Sequence, residues 1–259
     1  MVEQHELTHL SPEERQAIIL EKINAAGRVL ATALAQEFGV SEDSIRRDLR
    51  DLSDAGLVQR FHGGASRLVK PAFDFHRRET LATREKEAIG RAAAAIIPDG
   101  ATLLVDTSTT VVHFVRNLSP SLSVRIITTA VDVAAAALDH PRAEVIMLGG
   151  RLGRFTRSVT GGSAVEAIRS LRADCCILGT CGVDDGLTLR AEDFEDAYVK
   201  GAMIKASNKT LLLADAEKIG QVATYEVAPV TAVSTLFTNS PDNTILERIR
   251  ELGVNVEAV

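Results

Sequence analysis

The stretch SEDSIRRDL, residues 41–49, has the features of a helix that begins at a capping serine. The hydroxyl of Ser41 can accept a hydrogen bond from a free amide of the first turn, and the two acidic residues that follow complement the positive end of the helix dipole. Ile45, Leu49 and Leu52 recur at helical spacing and form one apolar stripe. The pattern therefore predicts a helix that packs on one face and presents arginines on the other.

The sequences on either side of this helix complete a winged helix-turn-helix. Upstream, a serine, a proline and two glutamates at residues 11–14 begin a helix that is predicted to end near Gly27, and a short second helix covers about residues 32–38. Downstream, Gly56 is predicted to end the third helix, and residues 57–67 form a two-stranded wing that turns at a glycine pair. The last helix of such a unit enters the major groove of DNA.

The candidate DNA contacts are polar residues of the exposed helix face, its cap and the wing. They are Ser41, Ser44, Arg46, Arg47, Arg50, Arg60, His62, Gly63 and Gly64. Residues 1–67 carry eight Lys or Arg against eleven Asp or Glu, whereas residues 46–67 carry five arginines against three aspartates. Because only this local face is basic, binding to a double-stranded DNA operator is expected to need a dimer or tetramer on paired half-sites. A helical protein-interaction module would show a similar helix-turn-helix pattern.

The order of these motifs resembles the N-terminal domain of the DeoR family of bacterial transcriptional regulators. Arg15, the run VLATALAQEFGVSEDSIRRDL and the wing GLVQRFHGGA carry the resemblance, which covers residues 11–67. One departure is Ser44, where the family usually has threonine. The hydroxyl group is kept, and the methyl group that could contact a thymine is lost.

The composition indicates a globular protein without a membrane span. Of the 259 residues, 46% are hydrophobic and 25% are charged, and no apolar run approaches the length of about eighteen residues that a membrane helix needs. The N-terminus lacks the apolar core of a secretory signal, so a cytoplasmic location and no membrane partner are expected. The three cysteines, Cys175, Cys176 and Cys181, lack metal-binding or redox spacing and are predicted to be small buried residues. No nucleotide-binding, metal-binding or hydrolase motif is found, so no cofactor, metal ion or catalytic residue is predicted.

The remainder of the chain predicts a larger α/β domain. Residues 68–80 have the composition of a linker between an N-terminal domain, residues 1–67, and a second domain, residues 81–259. Apolar strands then alternate with amphipathic helices, which indicates a mainly parallel sheet covered on both faces. The predicted strands cover residues 102–106, 124–128, 145–148, 175–179, 210–214 and 233–238. The predicted helices cover residues 84–97, 109–118, 131–138, 163–171, 194–207 and 244–252.

Polar and small residues follow the carboxyl ends of these strands, where ligands bind in such sheets. The candidate effector site comprises Asp106, Ser108, Thr109, Thr110, Thr128, Thr129, Gly149, Gly150, Arg151, Gly182, Asp184, Lys200, Asp215 and Lys218. Residues 108–110 open a helix and are the predicted phosphate cradle, with the aspartates as acceptors for hydroxyl groups and the basic side chains as positive partners. This combination suits a phosphorylated sugar or polyol. Taken singly, each element is also explained by a helix cap or an ordinary turn.

A second resemblance covers the rest of the chain. The segments EKEAIGRAAAAIIPDGATLLVDTSTT, MLGGRL, DCCILGTCGVDDGLT, YVKGAMIKAS and LLLADAEKIG resemble the effector-sensing domain of the DeoR family, whose fold resembles ribose-5-phosphate isomerase. The resemblance implies an inducer of the phosphorylated-sugar type that releases DNA. Ser108 stands where the family usually has glycine, and Gly201 where it has a basic residue. The acidic residue that precedes Lys200 in the family corresponds to either Glu195 or Asp196.

An alternative hypothesis is an enzyme, a sugar-phosphate isomerase that carries a winged helix. Its candidate residues for proton transfer next to a carbonyl are Asp184, Asp185, Glu195, Asp196 and Lys200. A sensor needs the same recognition groups, and an enzyme has little use for three arginines on an exposed helix. The sequence therefore favours the regulator.

Overall fold

The computed structural model describes residues 10–26, 28–55, 57–61, 63–67, 75–154 and 156–259. The chain divides into two compact units, Met1–Pro71 and Ala72–Val259. Gly27, Gly56 and His62 lie outside the described residues, and so does most of the predicted linker. Among the described residues, no helix combines the length and the apolar character needed to cross a membrane.

The first unit contains three helices and a small antiparallel sheet. Its elements are α1 (Pro12–Ala26), β1 (Arg28–Leu30), α2 (Ala31–Phe38), α3 (Glu42–Asp54), β2 (Val58–Phe61) and β3 (Gly64–Arg67). The strands lie in the order β1-β3-β2, so the wing has a third strand, which was not predicted. The apolar stripes of the helices, including Ile19, Phe38, Ile45 and Leu49, form its buried core.

The helices α1 and α2 begin and end at capping residues that the sequence predicts. The hydroxyl of Ser11 accepts from the amide of Glu14 at 3.2 Å, and the Glu14 carboxylate accepts from the amide of Ser11 at 2.9 Å, which is a capping box. Helix α2 ends at Gly39, whose φ of 64° lies in the left-handed region that favours glycine.

The second unit is built on a seven-stranded parallel sheet. Its elements are α4 (Phe75–Glu79), α5 (Thr83–Ala94), β4 (Thr102–Val105), α6 (Thr109–Arg116), β5 (Val124–Thr128), α7 (Val131–Leu138), β6 (Ala143–Met147), β7 (Arg151–Leu152), β8 (Val159–Thr160), α8 (Gly162–Arg169), β9 (Ala173–Gly179), β10 (Gly182–Val183), β11 (Thr188–Ala191), α9 (Phe194–Lys205), β12 (Ser207–Leu213), β13 (Tyr225–Pro229), β14 (Thr235–Thr238), α10 (Thr244–Glu251) and β15 (Asn255–Ala258). The strand order is β15-β14-β12-β9-β4-β5-β6, and every neighbouring pair is parallel.

Helices cover both faces of this sheet, which confirms the predicted fold class. Successive strand residues point to opposite faces, so Leu103 packs with α5, α6 and α7, whereas Leu104 packs with α8, α9 and α10. Cys175 and Cys176 alternate in the same way and are buried, as predicted, whereas Cys181 is half-buried. The small antiparallel sheet β10-β11-β13, the β7-β8 pair and the edge strand β15 were not predicted.

Part of the predicted linker belongs to the folded second unit. Residues 75–79 form α4, and the side chain of Phe75 is buried in the core cluster that contains Ile89 and Phe114. A five-residue helix has no stability of its own and forms because its aromatic residue packs against the larger body. Because the helix is so short, its sequence shows no repeating apolar pattern from which it could be predicted.

Candidate functional site

Helix α3 begins with two serines whose side chains contact each other. The hydroxyl of Ser41 accepts from the amide of Ser44 at 3.2 Å, and the two hydroxyl oxygens lie 3.0 Å apart. Ser41 therefore acts as the predicted helix cap. Both side chains lie at the end of α3 that a helix-turn-helix directs toward base edges.

The arginines of α3 differ in their surroundings. Arg46 forms ion pairs with Glu42 at 2.7 Å and with Asp43 at 3.3 Å, one turn earlier on the same helix. Arg47 and Arg50 are exposed, and neither forms an ion pair in the part of the chain that the structure describes. The positive charge available to a partner therefore comes mainly from Arg47 and Arg50.

Of the two glycines at the turn of the wing, one is exposed and the other is buried. Gly63 is exposed and has a φ of 91°, which an L-residue adopts only with strain. Gly64 is buried and pairs with both Phe61 and Leu30, so it lies inside the three-stranded sheet and not at the predicted contact surface. Arg60, on the strand before the turn, is exposed.

Asp48, inside the IRRDL motif, has a structural role. Its carboxylate is buried and accepts two hydrogen bonds from Arg15, at 2.6 Å from Nε and 3.1 Å from Nη2. Gln16 Nε2 donates to the same carboxylate at 3.3 Å. This ion pair joins α1 to α3 and fixes the angle at which the arginine face of α3 is presented.

We expect Asp48→Ala to destabilise the first unit by roughly 3 kcal/mol, because it leaves the guanidinium of Arg15 buried without its carboxylate; partial exposure of Arg15 keeps the loss at the low end for a broken buried pair. Hydrogen exchange of the α1 and α3 amides in the full chain would measure this loss. The control is Asp51→Ala, an exposed aspartate on the same helix, for which about 0.5 kcal/mol or less is expected. Equal exchange in the two variants would contradict the structural role.

In the second unit, the carboxyl ends of β4, β9 and β12 converge on the N-terminus of α6. Ser108 caps α6, and its hydroxyl accepts from the amide of Thr110 at 3.2 Å. Two adjacent cavities lie here and share Ser108, Thr180 and Arg78. The first cavity is lined by Arg78, Thr107, Ser108, Thr156, Gly179, Thr180, Cys181, Asp196 and Lys200. The second is lined by Arg78, Leu81, Ala82, Lys86, Ser108, Thr109, Thr110, Thr180, Leu213, Asp215, Glu217 and Lys218.

A buried charge cluster forms the floor of the first cavity. The ammonium of Lys200 contacts the carboxylate of Asp106 and lies 3.7 Å from that of Asp196, and all three side chains are buried. Burial alone would lower the pKa of Lys200, but the charges of Asp106 and Asp196 outweigh burial and hold this pKa above its usual range. Lys200 therefore keeps its positive charge, but this charge is already paired with two carboxylates of the protein. Its predicted role was that of a free positive partner of the effector. Of the two candidate acids, Asp196 faces Lys200, whereas Glu195 does not.

Burial raises the pKa of Asp196 to about 6, with the charge of Lys200 opposing this effect and the charge of Asp106 adding to it. Between about pH 4, the usual range for aspartate, and pH 6, the folded protein holds a proton that the unfolded chain has released. The contribution of this carboxyl group to the stability of the fold is therefore fully present below that pH range. It is lost as the pH rises through 6. We therefore expect the melting temperature of Asp196→Asn, relative to that of the parent, to rise over this interval. A difference that stays constant with pH would contradict the assignment.

Lys86 holds the α4–α5 connection against the second cavity. Its ammonium is buried and donates to the carbonyl oxygens of Arg78, at 2.5 Å, and Leu81, at 2.7 Å. Burial lowers the pKa of Lys86, and the negative charge of Asp215 partly offsets this. One carboxylate oxygen of Asp215 is buried and has no hydrogen-bond partner among the described residues. The second cavity therefore contains an acceptor that is open to a ligand.

Arg78 lines both cavities and was not predicted. Its Nε is buried and has no acceptor among the described residues, and its guanidinium forms no ion pair with them. A buried arginine donor without an acceptor is unusual, because burial removes its bonds to water. Arg78 therefore supplies an unsatisfied cationic donor beside the N-terminus of α6.

Several predicted effector residues lie away from both cavities. Thr128 donates to the carbonyl of Val105 at 2.7 Å and accepts from the amide of Ala130 at 3.0 Å, so its hydroxyl is used within the fold. Thr129 is buried, and its hydroxyl has no partner among the described residues. Neither threonine lines a cavity with Ser108.

The predicted residues after β6, and Gly182 and Asp184 beyond the end of β9, also lie outside the two cavities. Gly149, Gly150 and Arg151 are exposed, and Arg151 pairs with Glu195. Asp184 pairs with Arg190 at 2.6 Å, and the backbone of Gln221 packs directly on Gly182. The side chains that the structure brings together from the predicted set are Ser108, Thr109, Thr110, Lys200, Asp215 and Lys218, with Asp106 beneath Lys200.

Comparison with known proteins places both units in one family. The DeoR-like helix-turn-helix domain matches residues 15–70, and the DeoR C terminal sensor domain matches residues 81–240. The HTH-type transcriptional repressor CsqR of Escherichia coli K12 is 34% identical over 254 residues, which is 96% of this chain and 97% of that protein. The glycerol-3-phosphate regulon repressor of the same organism is 32% identical and covers 88% of this chain and 91% of its own length.

Among solved structures, ribose 5-phosphate isomerase A of Methanocaldococcus jannaschii overlaps 52% of this chain and 53% of its own, with 17% identity and a TM-score of 0.39. The relatives that match along nearly the whole chain are repressors and not enzymes, so the isomerase hypothesis is set aside. The chain is a member of the DeoR family of transcriptional regulators, with a DNA-binding helix-turn-helix in its first unit and the family's sensor domain in its second.

Proposed function

We propose that this chain is a repressor that acts in the cytoplasm, binds paired DNA half-sites as a dimer or tetramer, and is released when a phosphorylated sugar or polyol occupies the sensor domain. The observation that carries the effector part is Arg78, whose donor stands unpaired beside the N-terminus of α6. The relative named as a glycerol-3-phosphate regulon repressor is named for a phosphorylated polyol, which supports the same class of ligand.

The phosphate is proposed to occupy the second cavity. The α6 N-terminus offers free amides and the positive end of the helix dipole, and a phosphate there gains charge-assisted bonds from Arg78. Lys86 and Lys218 line the same cavity and add positive charge. Asp215 and Glu217 are the acids on this side, and the open acceptor of Asp215 suits a hydroxyl group of the ligand.

The hydroxyl-bearing part of the ligand is proposed to extend into the first cavity. Asp196 and Thr156 line it and offer a carboxylate acceptor and a hydroxyl, and Thr156 Oγ1 is buried without a partner among the described residues. A polyol or sugar chain can satisfy such groups, whereas an apolar ligand would leave them unpaired. The two cavities together therefore favour a ligand with an anionic end and a polyhydroxyl end.

A thermal-shift panel tests this ligand class. Sugars and polyols with and without a phosphate group are added in pairs to the full chain. A phosphorylated member at a hundred times its dissociation constant is expected to add about 2.7 kcal/mol to the stability of the sensor domain. The same compound should release operator DNA in an anisotropy titration, and its unphosphorylated parent should not. Equal thermal shifts from both members of every pair would overturn the proposal that the ligand carries a phosphate group.

On the DNA side, we expect Arg47→Ala to remove operator preference. Arg47 is exposed near the start of α3 and unpaired among the described residues, so a contact with a guanine edge would be lost at a cost on the order of 1 to 3 kcal/mol for operator DNA alone. Arg60→Ala, in the wing, is the control and should weaken operator and random DNA to the same degree. Titrations of both DNAs at one salt concentration measure this, and full discrimination by Arg47→Ala would contradict the proposed docking.

A further inference from the structure

The outward face of α3 carries acids as well as arginines. Asp43, Arg47, Arg50 and Asp54 follow one another at spacings of four, three and four residues, which places them in one row along the helix. All four are exposed, and the row lies opposite the buried stripe that contains Ile45. The row begins and ends with an acid. Asp43 is the acid at the end of the helix that a helix-turn-helix directs toward base edges.

The carboxylate of Asp43 is incompletely neutralised within the protein. Arg46 lies 3.3 Å from it, but the same guanidinium lies closer, at 2.7 Å, to the carboxylate of Glu42. Two carboxylates that share one guanidinium leave an excess of one negative charge at this end of α3. The side chain of Asp43 is 85% exposed, whereas that of Glu42 is 42% exposed. Asp43 therefore offers an acceptor that is open to a partner of α3.

A carboxylate in the major groove lies between two phosphate backbones, so it is unfavourable there unless a base donates a hydrogen bond to it. The base edges of this groove present two kinds of donor, the amino group of cytosine and the amino group of adenine. An ionised carboxylate accepts and cannot donate. Adenine places the acceptor N7 beside its amino group, and guanine and thymine present acceptors. Cytosine is therefore the base that suits the carboxylate of Asp43.

We propose that Asp43 is a specificity-determining residue, whose carboxylate selects a cytosine in each operator half-site by accepting a hydrogen bond from the cytosine amino group. The inference rests on the proposed docking of α3, with Arg47 at a guanine edge. One helical turn, about 5.4 Å, separates the two side chains along the row, and base pairs lie about 3.4 Å apart. The selected cytosine is therefore expected within about two base pairs of the guanine. The same carboxylate disfavours half-sites that present an acceptor at this position, which increases specificity while it reduces affinity for DNA in general.

The variant Asp43→Asn separates base selection from the other effects of the charge. Asparagine has nearly the same size, but it donates as well as accepts and therefore suits the amino group and N7 of adenine. The full-length parent and the variant are each used to select duplexes from a pool of randomised DNA, and the bound duplexes are sequenced. The parent is expected to enrich cytosine about tenfold at one position of the half-site. The variant is expected to enrich adenine at that position and to leave the other positions unchanged.

Two other acids of α3 provide matched controls. Glu42→Gln removes the neighbouring acid of the first turn, which interacts with the helix dipole as Asp43 does, so this variant reports the loss of helix stability without a change in base contact. Asp54→Asn removes the acid at the other end of the same row, away from the base-contacting end of α3. Each control removes one negative charge and is expected to strengthen binding to random DNA, as Asp43→Asn does. Neither control should change the selected base.

Selection with Arg47→Ala in parallel separates this inference from the proposed docking. Adenine in place of cytosine with Asp43→Asn, together with a lost guanine preference in Arg47→Ala, supports the role of Asp43. If Arg47→Ala loses the guanine while Asp43→Asn still selects cytosine, or binds every sequence more weakly, the role of Asp43 is wrong and the docking stands. A parent that selects no cytosine within about two base pairs of the guanine has the same meaning. Base preferences that are unchanged in both variants overturn the docking, and the inference with it.

Discussion

Replacement of Lys200 by methionine is expected to destabilise the sensor domain by about 3 to 5 kcal/mol, which is the loss typical of breaking a buried ion pair. The ammonium contacts Asp106, whose side chain is fully buried, and lies close to Asp196. Without it, two buried carboxylates remain without their cation. Methionine fills most of the vacated volume, so the loss reports the missing charge rather than a cavity.

The measurement is hydrogen exchange of the central strands β4 and β9 in the full chain, read at the level of peptides. The control is Lys205→Met, which removes an exposed lysine from the same helix and should change stability by about 0.5 kcal/mol or less. The double variant Lys200→Met with Asp106→Asn also removes one of the two carboxylates that are left unpaired. It should recover part of the lost stability. A double variant no more stable than Lys200→Met would show that the penalty does not come from uncompensated charge.

Local sequence signals were sufficient to predict the winged helix-turn-helix and six of the seven strands of the parallel sheet. Ser11, Ser41 and Gly39 mark helix ends by chemistry that acts within one turn, and apolar periodicity defines the buried faces. Asp48 shows the limit of such signals. Its position in the motif gives no indication that it pairs with Arg15, which lies 33 residues earlier on another helix.

The sensor site was predicted in part, because periodicity identifies strands and not their order in the sheet. The rule that ligands bind beyond strand carboxyl ends gave thirteen of the fourteen candidates, distributed over the loops after five of the six predicted strands. The structure places β4, β9 and β12 next to one another at the centre of the sheet and β6 at its edge. Residues that follow the central strands, such as Ser108 and Asp215, therefore line the cavities, while Arg151 after β6 does not.

Arg78 was missed for a related reason. It lies on a five-residue helix whose position depends on the burial of Phe75, and its proline-containing surroundings have the composition of a linker. Nothing in the local sequence indicates that this segment folds over Ser108, thirty positions later. The residue proposed as the main anchor of the effector therefore becomes visible only in the tertiary structure.

Arg78→Gln is expected to abolish release from the operator at inducer concentrations that release the parent, and to leave operator binding unchanged. The guanidinium makes no ion pair among the described residues, so its loss leaves no acidic side chain without a counter-charge. The fold should therefore tolerate the substitution. A charge-assisted hydrogen bond to a phosphate contributes about 1.5 to 3 kcal/mol, so inducer affinity should fall by on the order of ten- to a hundredfold.

Operator release is measured by anisotropy against the phosphorylated compound selected in the thermal-shift panel, and the same compound is tested for its thermal shift with the variant. The control is Arg84→Gln, which removes an exposed arginine near the start of α5 that lies outside both cavities. It should respond like the parent. An Arg78→Gln protein with the parent's thermal shift and the parent's release curve would place the phosphate elsewhere.

The combination of the two readouts also separates binding from switching. A ligand can shift the DNA-binding equilibrium only by the difference in its affinity for the two states, so a lost anchor should reduce the thermal shift and the release together. If Arg78→Gln retained the thermal shift but no longer released DNA, the guanidinium would be unnecessary for affinity and would act instead in coupling. Because Arg78 belongs to α4, the first described element of the second unit, that result would assign α4 a part in the coupling.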